Sequence, residues 1–413
     1  QTEQLGTGHA VMQARDVIRR ARRHAADVYV ILNGDTPLLR EETVHALLDT
    51  HRRYKAGVTL LTANVEDPRG YGRIIRGDGN RVLRIVEDRD ATKAEIAVKE
   101  INVGTYVVDG PFLFEALDKL QPENAQREYY LTDIVKFAVE RRVPVAAHVV
   151  PDPDEGLGIN SRQQLADAER IMRTKIVRQW LEAGVTMRDP NTTVIDADVQ
   201  IGQDTVLHPF VTLEGRTRIG SDCAIRSQVR IVDSVLADRV VVQDGCLIEE
   251  ARLDEESVVG PFAHLRPGSV LRRGAKVGNF VEIKKAVLGE GSKANHLTYL
   301  GDAKIGAHVN IGAGTITCNY DGQRKYETVI EDDVFIGSDT QLVAPVTVGQ
   351  GAVIAAGSTI TQNVPPDSLA ISRTSQMNKA GWVSRRRNLP AMGQAAGKPP
   401  AAKPRGKKKQ TRG

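Results

Sequence analysis

A small aliphatic residue returns at every sixth position through most of the stretch from Ile195 to Val364, and few folds tolerate that interval. The series begins Ile195, Ile201, Leu207, Leu213, Ile219, Ile225 and, after one slip of register, continues Leu253, Val259, Leu265, Leu271, Val277, Ile283. It resumes at Ile305 and Ile311, then at Ile336, Leu342, Val348, Ile354 and Ile360, and Gly often follows, as in Ile201-Gly202 and Ile336-Gly337. A helix cannot hold a period of six on one face, and a half-exposed strand repeats every two. Six is the period of a parallel β-helix in which each unit lays down one short strand and turns a corner, three units closing a coil. The aliphatic residue then points inward and stacks on its equivalents, while Gly near the corner is expected to serve a tight or left-handed backbone. Roughly nine coils at about 4.8 Å each give a column on the order of 40 Å long. Prisms of this kind wind left-handed, so a left-handed parallel β-helix is the expected fold, with an ordinary sandwich as the bland alternative.

With 413 residues the chain has room for more than this column. Residues 1–158 alternate strand and helix signals: Val28–Leu32, Gly57–Ala63, Arg81–Glu87 and Ile101–Val108 as strands, Glu41–Tyr54 as a helix. That alternation predicts an α/β, Rossmann-like domain with a mostly parallel sheet, and ligands gather at the carboxyl ends of such strands. Asp35 stands there, though an Asp after a strand also serves as a turn residue or helix cap. Residues 159–184 read as a helical linker whose stripe of Leu165, Ala168, Ile171, Met172, Ile176, Trp180 and Leu181 is expected to lie on the first coils. The coil domain then runs over 185–382.

The net charge of +4 comes from the tail, where Lys398, Lys403, Arg405, Lys407, Lys408, Lys409 and Arg412 leave the rest of the chain slightly acidic. A basic, disordered tail over 383–413 is therefore expected, with no specific nucleic-acid partner. No apolar run approaches a membrane span. Cys223, Cys246 and Cys318, odd in number and widely spaced, suit a reducing cytoplasm better than a disulfide framework.

Residues that break the repeat are the candidates for chemistry. Arg266, Glu282, Lys284, His296, Tyr299, Asn310 and the loop 319–328 fall in one segment. Among them His296 has an intrinsic pKa near neutrality, which suits a general base. Arg266 and Lys284 suit a phosphate, Arg by its forked donors and Lys as a point charge. Singly, each also has a bland reading as a solvated surface residue.

The motifs together resemble one family. Gln1-Thr-Glu-Gln-Leu-Gly6-Thr7-Gly-His, Asn33-Gly34-Asp35, Gly70-Tyr-Gly72-Arg73, Glu87, Glu100-Ile-Asn102 and Gly158-Ile-Asn160 resemble, in order and spacing, one half of the bifunctional N-acetylglucosamine-1-phosphate uridyltransferase/glucosamine-1-phosphate acetyltransferases. Gly260–Gly268, Val277–Lys285, His296–Asp302 and Asn310–Tyr320 resemble the acetyltransferase half. The resemblance implies UDP-N-acetylglucosamine contacts at Gln1, Gly6, Thr7, Gly72, Glu87, Asn102 and Asn160, and Mg²⁺ on Asp35 and Asn160, oxygen donors that suit this ion. It implies His296 as base, with Arg266, Lys284, Tyr299, Asn310 and Lys325 on the sugar phosphate. It assigns Ala313, Asn319, Tyr320, Ser338, Ala356 and Arg373 to acetyl-CoA. A homotrimer with shared sites, and a product destined for cell-wall and lipopolysaccharide precursors, follow from the same resemblance.

The family's Gly-rich nucleotide loop belongs upstream of Gln1, so the chain reads as cut at its N-terminus. Little uridyl transfer from UTP is then expected of it, since that loop helps hold the triphosphate in line. Cys318, a lone thiol beside the expected pocket, reads as a small filler. Two rivals stand against this reading: a prism carbonic anhydrase with zinc on His264, His296 and His308, and a nucleotidyltransferase carrying a non-catalytic prism.

Overall fold

A computed structural model describes residues 2–20 and 28–387. The chain forms two compact units with the boundary between Leu265 and Arg266. The first opens with α1 (Thr7–Arg20), β1 (Val28–Ile31), α2 (Glu41–Tyr54), β2 (Val58–Asn64), β3 (Arg73–Arg76) and β4 (Val82–Val86). Next come α3 (Lys93–Ile96), β5 (Glu100–Asp109), α4 (Gly110–Leu117), α5 (Asp133–Glu140), β6 (Val145–Val149) and α6 (Arg162–Glu182).

The sheet runs β4-β3-β5-β2-β6, with β1 also on β5. It corrects the expectation of a mostly parallel sheet: β5 is antiparallel to β1, β2 and β3, β3 is antiparallel to β4, and among the described strands of this sheet only β2 and β6 pair in parallel. The long apolar runs arise because the sheet is covered on both faces, whatever the strand direction. Leu60, Tyr106 and Val108 join Phe112, Leu113 and Ile134 in one core cluster, while Leu61, Ala63, Ile101, Val103 and Val107 join Leu47 in another.

Helix α6 starts where the Ser161 hydroxyl accepts from the Gln164 amide at 3.1 Å, a side-chain N-cap. Its expected stripe is only partly inward. Ala168 and Val177 are buried, but Leu165, Met172 and Leu181 are exposed. Val177, left out of the stripe, is buried alongside Ala168.

Beyond α6 the hexad series becomes short parallel strands on three faces. In the first unit Ile195 pairs with Leu213 and Leu213 with Ile231; Ile201 pairs with Ile219 and Ile219 with Leu236. The slip in the series is a change of coil length. Leu207 to Ile225 spans 18 residues, whereas Ile225 to Val242 and Ile219 to Leu236 each span 17. In the second unit Leu271, Leu288, Ile305, Ile330 and Val348 stack on one face, and Val277, Ala294, Ile311, Ile336 and Ile354 on another. All ten are buried.

Apart from Gly260, whose φ is +98°, the glycines that follow these aliphatics serve a different purpose from the expected one. Left-handed corners are held largely by other residues, among them Asp204, Phe210, Phe280, Leu297 and His308. Gly289 and Gly278 instead lie against the next coil: a Cβ on either would stand 2.0 Å from a backbone oxygen, of Gly306 and Asn295 respectively. Coil-to-coil approach, not backbone handedness, requires them. The second unit's described part ends in an exposed helix, Trp382–Arg387, so residues 383–387 are not the disordered start of a tail. Residues 388–413, which carry the rest of the expected tail, lie outside the described residues.

Candidate functional site

In the first unit a cleft of about 470 Å³ opens over the sheet, lined by Thr7, Asp35, Gly72, Glu87, Asn102 and Asn160 together with Tyr71, Tyr106, Thr132 and others. Five of the expected nucleotide-sugar residues and Asp35, expected on the metal, thus share one cavity. Gly6, just outside the lining, has φ +103°, and a Cβ there would be 2.7 Å from the Tyr129 carbonyl oxygen. Only Gly fits, because this strand-like segment is laced to residues 129–131: the Tyr129 amide donates to the Leu5 carbonyl at 2.8 Å and the Leu131 amide to the Thr7 hydroxyl at 3.1 Å. Gln1 lies outside the described residues.

Local bonds preset the polar groups of the cleft. The Asn102 amide donates to the Tyr106 hydroxyl at 2.7 Å and its carbonyl accepts the Gly104 amide at 3.2 Å. Thr132 donates its hydroxyl to Glu87 at 3.0 Å. Burial, with Asp133, Asp90 and Asp88 nearby, holds the Glu87 carboxyl above its ordinary pKa despite that bond. Gly72 packs on the strand before Glu87: an added Cβ would stand 2.9 Å from Ile85 Cγ2 and only in ordinary contact with the Glu87 carboxylate. Arg73 is fully buried, donating to the Tyr71 carbonyl and, at 2.8 Å, to Asp88, so it braces the Gly70–Gly72 turn from behind.

Asp35 and Asn160 come from loops far apart in sequence yet converge. A Cβ built on Gly158 would stand 3.7 Å from Asp35 Oδ2 and 3.8 Å from Asn160 Nδ2. A carboxylate and an amide presented together from a polar cleft are chemically suited to a hard divalent cation, with phosphate and water completing its shell. Sequence reasoning missed Tyr71, whose hydroxyl accepts the Gly158 amide at 3.1 Å, and the Tyr106 and Thr132 hydroxyls. Tyr71 was legible inside the Gly70–Gly72 motif; the other two were not.

The second unit carries the other set. His296 ends the strand Lys293–His296 and is exposed. Two residues past the paired Ala294 and Ile311, its place in the next coil is taken by Ala313. Two past Ile311/Ile336 and Ile336/Ile354, the same place falls to Ser338 and then Ala356. His296, Ala313, Ser338 and Ala356 therefore form one column along a corner. Backbone bonds tie it together: the Asp339 amide donates to the Ala313 carbonyl at 2.7 Å and the Gly357 amide to the Ser338 carbonyl at 2.8 Å. Arg373 reaches back to donate to the Ala356 carbonyl. Asn310 lies on the flat of the same face, paired with Lys293 and Phe335, three residues before Ala313.

The face after that corner holds the cations. Glu282 pairs with Tyr299 and Lys284 with Gly301, and the Arg266 amide donates to Ile283 O at 2.8 Å. Arg266 Nη1 also donates to Glu282 at 2.7 Å. The like charges of Lys325 and, more weakly, Arg266 hold the Lys284 pKa below the ordinary lysine value, with Asp302 pulling the other way. A cluster of cations held this close is arranged for an anion. Gly301, in register with Lys284, lets two polar groups close over its backbone: a Cβ there would stand 2.4 Å from the Tyr299 hydroxyl and 2.8 Å from Asn319 Nδ2. Asn319, buried, donates to Asp302 at 2.5 Å, and exposed Tyr320 pairs across the loop with Lys325. Cys318 is a free, half-buried thiol. It follows buried Thr317 in its strand and so faces outward, one coil beyond Gly301.

Sequence comparison matches a nucleotidyl transferase family model over residues 1–181, a GMPPB C-terminal domain model over 190–289 and a bacterial transferase hexapeptide (six repeats) model over 327–362. The bifunctional protein GlmU of Trichlorobacter lovleyi is 54% identical over 388 residues, covering 94% of this chain and 84% of that protein. That of Pelobacter propionicus is 52% identical over 382 residues, 92% of this chain and 82% of that protein. The chain belongs to the bifunctional GlmU family. As a GlmU-family member it is both an acyltransferase and a nucleotidyltransferase, its nucleotidyltransferase domain followed by a parallel β-solenoid of hexapeptide repeats. Its reactions are acetyl transfer to glucosamine-1-phosphate and uridyl transfer giving UDP-N-acetylglucosamine.

The solved UDP-N-acetylglucosamine acyltransferase of Francisella novicida is matched with a TM-score of 0.29 and 15% identity over 50% of this chain and 75% of that one, too loosely to carry any argument. The reading of the chain as cut at its N-terminus gains no support from these matches. Neither does the zinc anhydrase. His264 bonds Glu249 at 3.0 Å, and His308 precedes its strand where His296 ends one, so the two stand at different corners. Among the described residues no helix is long and apolar enough to cross a membrane.

Proposed function

We propose that acetyl transfer is carried by the corner column and the cation face of residues 266–373, with His296 as general base. The observation supporting this is the column itself: a His at its head and the small side chains of Ala313, Ser338 and Ala356 beneath it. A thin, flexible pantetheine chain can run along such a ledge with its thioester at His296 and a phosphate of its nucleotide end near Arg373. Asn319 and Tyr320 flank it. Glucosamine-1-phosphate sits with its phosphate on Lys284, Lys325 and Arg266, and with hydroxyls on Tyr299 and Asn310. His296 takes one proton from the sugar ammonium; the freed amine attacks the thioester carbon, a C–N bond forms and the C–S bond breaks, the nitrogen's second proton passes to the departing sulfur so that coenzyme A leaves as the thiol, and His296 returns its proton to solvent. One face of a prism is flat, so the pocket needs walls from a neighbour, and a homotrimer supplies them.

In the first unit Thr7, Gly72, Glu87, Asn102 and Asn160, with Gly6 shaping the entrance, hold the nucleotide sugar. Asp35 and Asn160 hold Mg²⁺, which when bound neutralises phosphate charge as it builds during transfer. The protein's own groups fix the sugar and exclude water. The domains run 1–158, 159–184 and 185–382, and the protein works in the cytoplasm. The decisive experiment is thiol release from acetyl-CoA with glucosamine-1-phosphate. His296→Ala should lower turnover by about two to four powers of ten while the protein stays folded, because the side chain is exposed. Unchanged turnover removes His296 from its role.

A further inference from the structure

The loops bearing Asp35 and Asn160 are joined by a buried carboxylate that lines neither site. Glu155, in the turn Pro153–Gly156, is wholly buried. Its Oε1 accepts from Arg40 Nε at 2.8 Å and from Arg40 Nη2. Its Oε2 accepts from the Arg40 amide at 3.2 Å and the Thr43 hydroxyl at 2.5 Å. Arg40 is the N-cap of α2 and makes no side-chain cap bond of its own. Glu155 thus caps α2 from outside, a negative group at the positive end of the helix. Both oxygens are used, so the carboxylate has one arrangement here.

Arg40 lies five residues after Asp35, and Glu155 five before Asn160. Between these two anchors the loops meet directly once more, where the Ile159 amide donates to the Asp35 carbonyl at 2.9 Å. Other contacts hold the Asn160 loop alone: its amide donates to Gln164 at 2.7 Å, and Lys175 pairs with Asp152 at 2.7 Å. Gly156 presses the turn on the sheet, where a Cβ would stand 3.0 Å from Val103. Glu155, bonded to Arg40 and to the Thr43 hydroxyl, is therefore the side chain that couples one loop to the other.

We infer that Glu155, through Arg40, is a positioning residue that sets the separation of Asp35 and Asn160 and thereby the metal affinity of the nucleotidyl site. The inference rests on the proposal that those two residues hold the metal. Supporting groups of this kind change metal affinity by about tenfold to a hundredfold when removed.

The test is titration of the full chain with Mn²⁺, read by the electron paramagnetic resonance of the ion in the presence of UDP-N-acetylglucosamine. Glu155→Gln should weaken Mn²⁺ binding by about tenfold or more. Arg40→Lys should weaken it less than Arg40→Met, because the charge survives and the fork does not. Acetyl transfer should be unchanged in each, since its residues lie in the other unit. If Asp35→Asn loses Mn²⁺ while Glu155→Gln binds within twofold of the parent, the coupling is wrong and the metal site stands. If the parent chain binds no Mn²⁺ at all, both fall. Should Glu155→Gln fail to fold, equal affinity in the parent, Arg40→Lys and Arg40→Met overturns the inference.

Discussion

Gly301→Ala tests the cation face with a single methyl group. Gly301 is in register with Lys284, and its φ is not in the left-handed region, so the backbone accepts Ala without strain. The methyl would nevertheless stand 2.4 Å from the Tyr299 hydroxyl and 2.8 Å from Asn319 Nδ2, where ordinary contact begins at 3.4 Å. Asn319 is buried and bonded to Asp302, whereas Tyr299 is partly exposed, so the hydroxyl is the group that yields, by about 1 Å. Overpacking of this sort costs on the order of 1–3 kcal/mol, less where one side chain can swing away. The larger effect should fall on catalysis, since a misplacement of about 1 Å in a positioning group can cost roughly a hundredfold. The assay is initial-rate thiol release at varied glucosamine-1-phosphate and fixed, saturating acetyl-CoA, alongside a melting curve. kcat/KM for the sugar phosphate should fall by about two powers of ten with only a few degrees lost in Tm. A variant that keeps kcat/KM within threefold of the parent would refute the claim that the Tyr299 hydroxyl, in its place over Gly301, holds the sugar.

Two further outcomes follow from the same face. Because Lys325 and Arg266 hold the Lys284 pKa down, a bound phosphate must raise it again, so glucosamine-1-phosphate binding should take up protons in buffers near the ordinary lysine pKa of about 10. Calorimetry in two buffers of different ionisation enthalpy measures this, and Lys284→Met should abolish the uptake; proton release on binding would contradict it. Cys318→Ser should leave acetylation unchanged, with no covalent acetyl-protein detected by mass spectrometry in either form.

The column was legible because every sixth residue is an inward aliphatic, and inward aliphatics have few substitutes in so narrow an interior. Its glycines were misread for a physical reason. A missing side chain serves a left-handed turn and a close neighbour equally well, and sequence carries no distance by which to choose between them. Strand direction in the first unit failed similarly: Leu60 and Leu61 are both buried because the sheet has two covered faces, and a doubly covered antiparallel strand reads the same as a parallel one. Glu155 was invisible for a third reason. In Asp152-Pro-Asp-Glu155-Gly it stands among solvated turn acids, and nothing local distinguishes the one whose partner lies 115 residues away.

The acetyl site shows why a repeat hides what it builds. His296 to Ala313 spans 17 residues, Ala313 to Ser338 spans 25 and Ser338 to Ala356 spans 18, so the residues of one corner share no period in sequence although they share one in space. The long interval contains the loop carrying Lys325, which leaves the coil near Asn319 and rejoins it at Thr328. That one insertion brings a third cation to Lys284 and Arg266 while keeping Ala313 and Ser338 adjacent. A coil can therefore add charge beside a ledge without breaking the ledge. Removing residues 321–325, with Asn319 and Tyr320 kept, should remove the cation and weaken sugar-phosphate binding while leaving acetyl-CoA affinity close to the parent value, as paired calorimetric titrations would show; equal loss of both would mean that the loop builds the ledge itself.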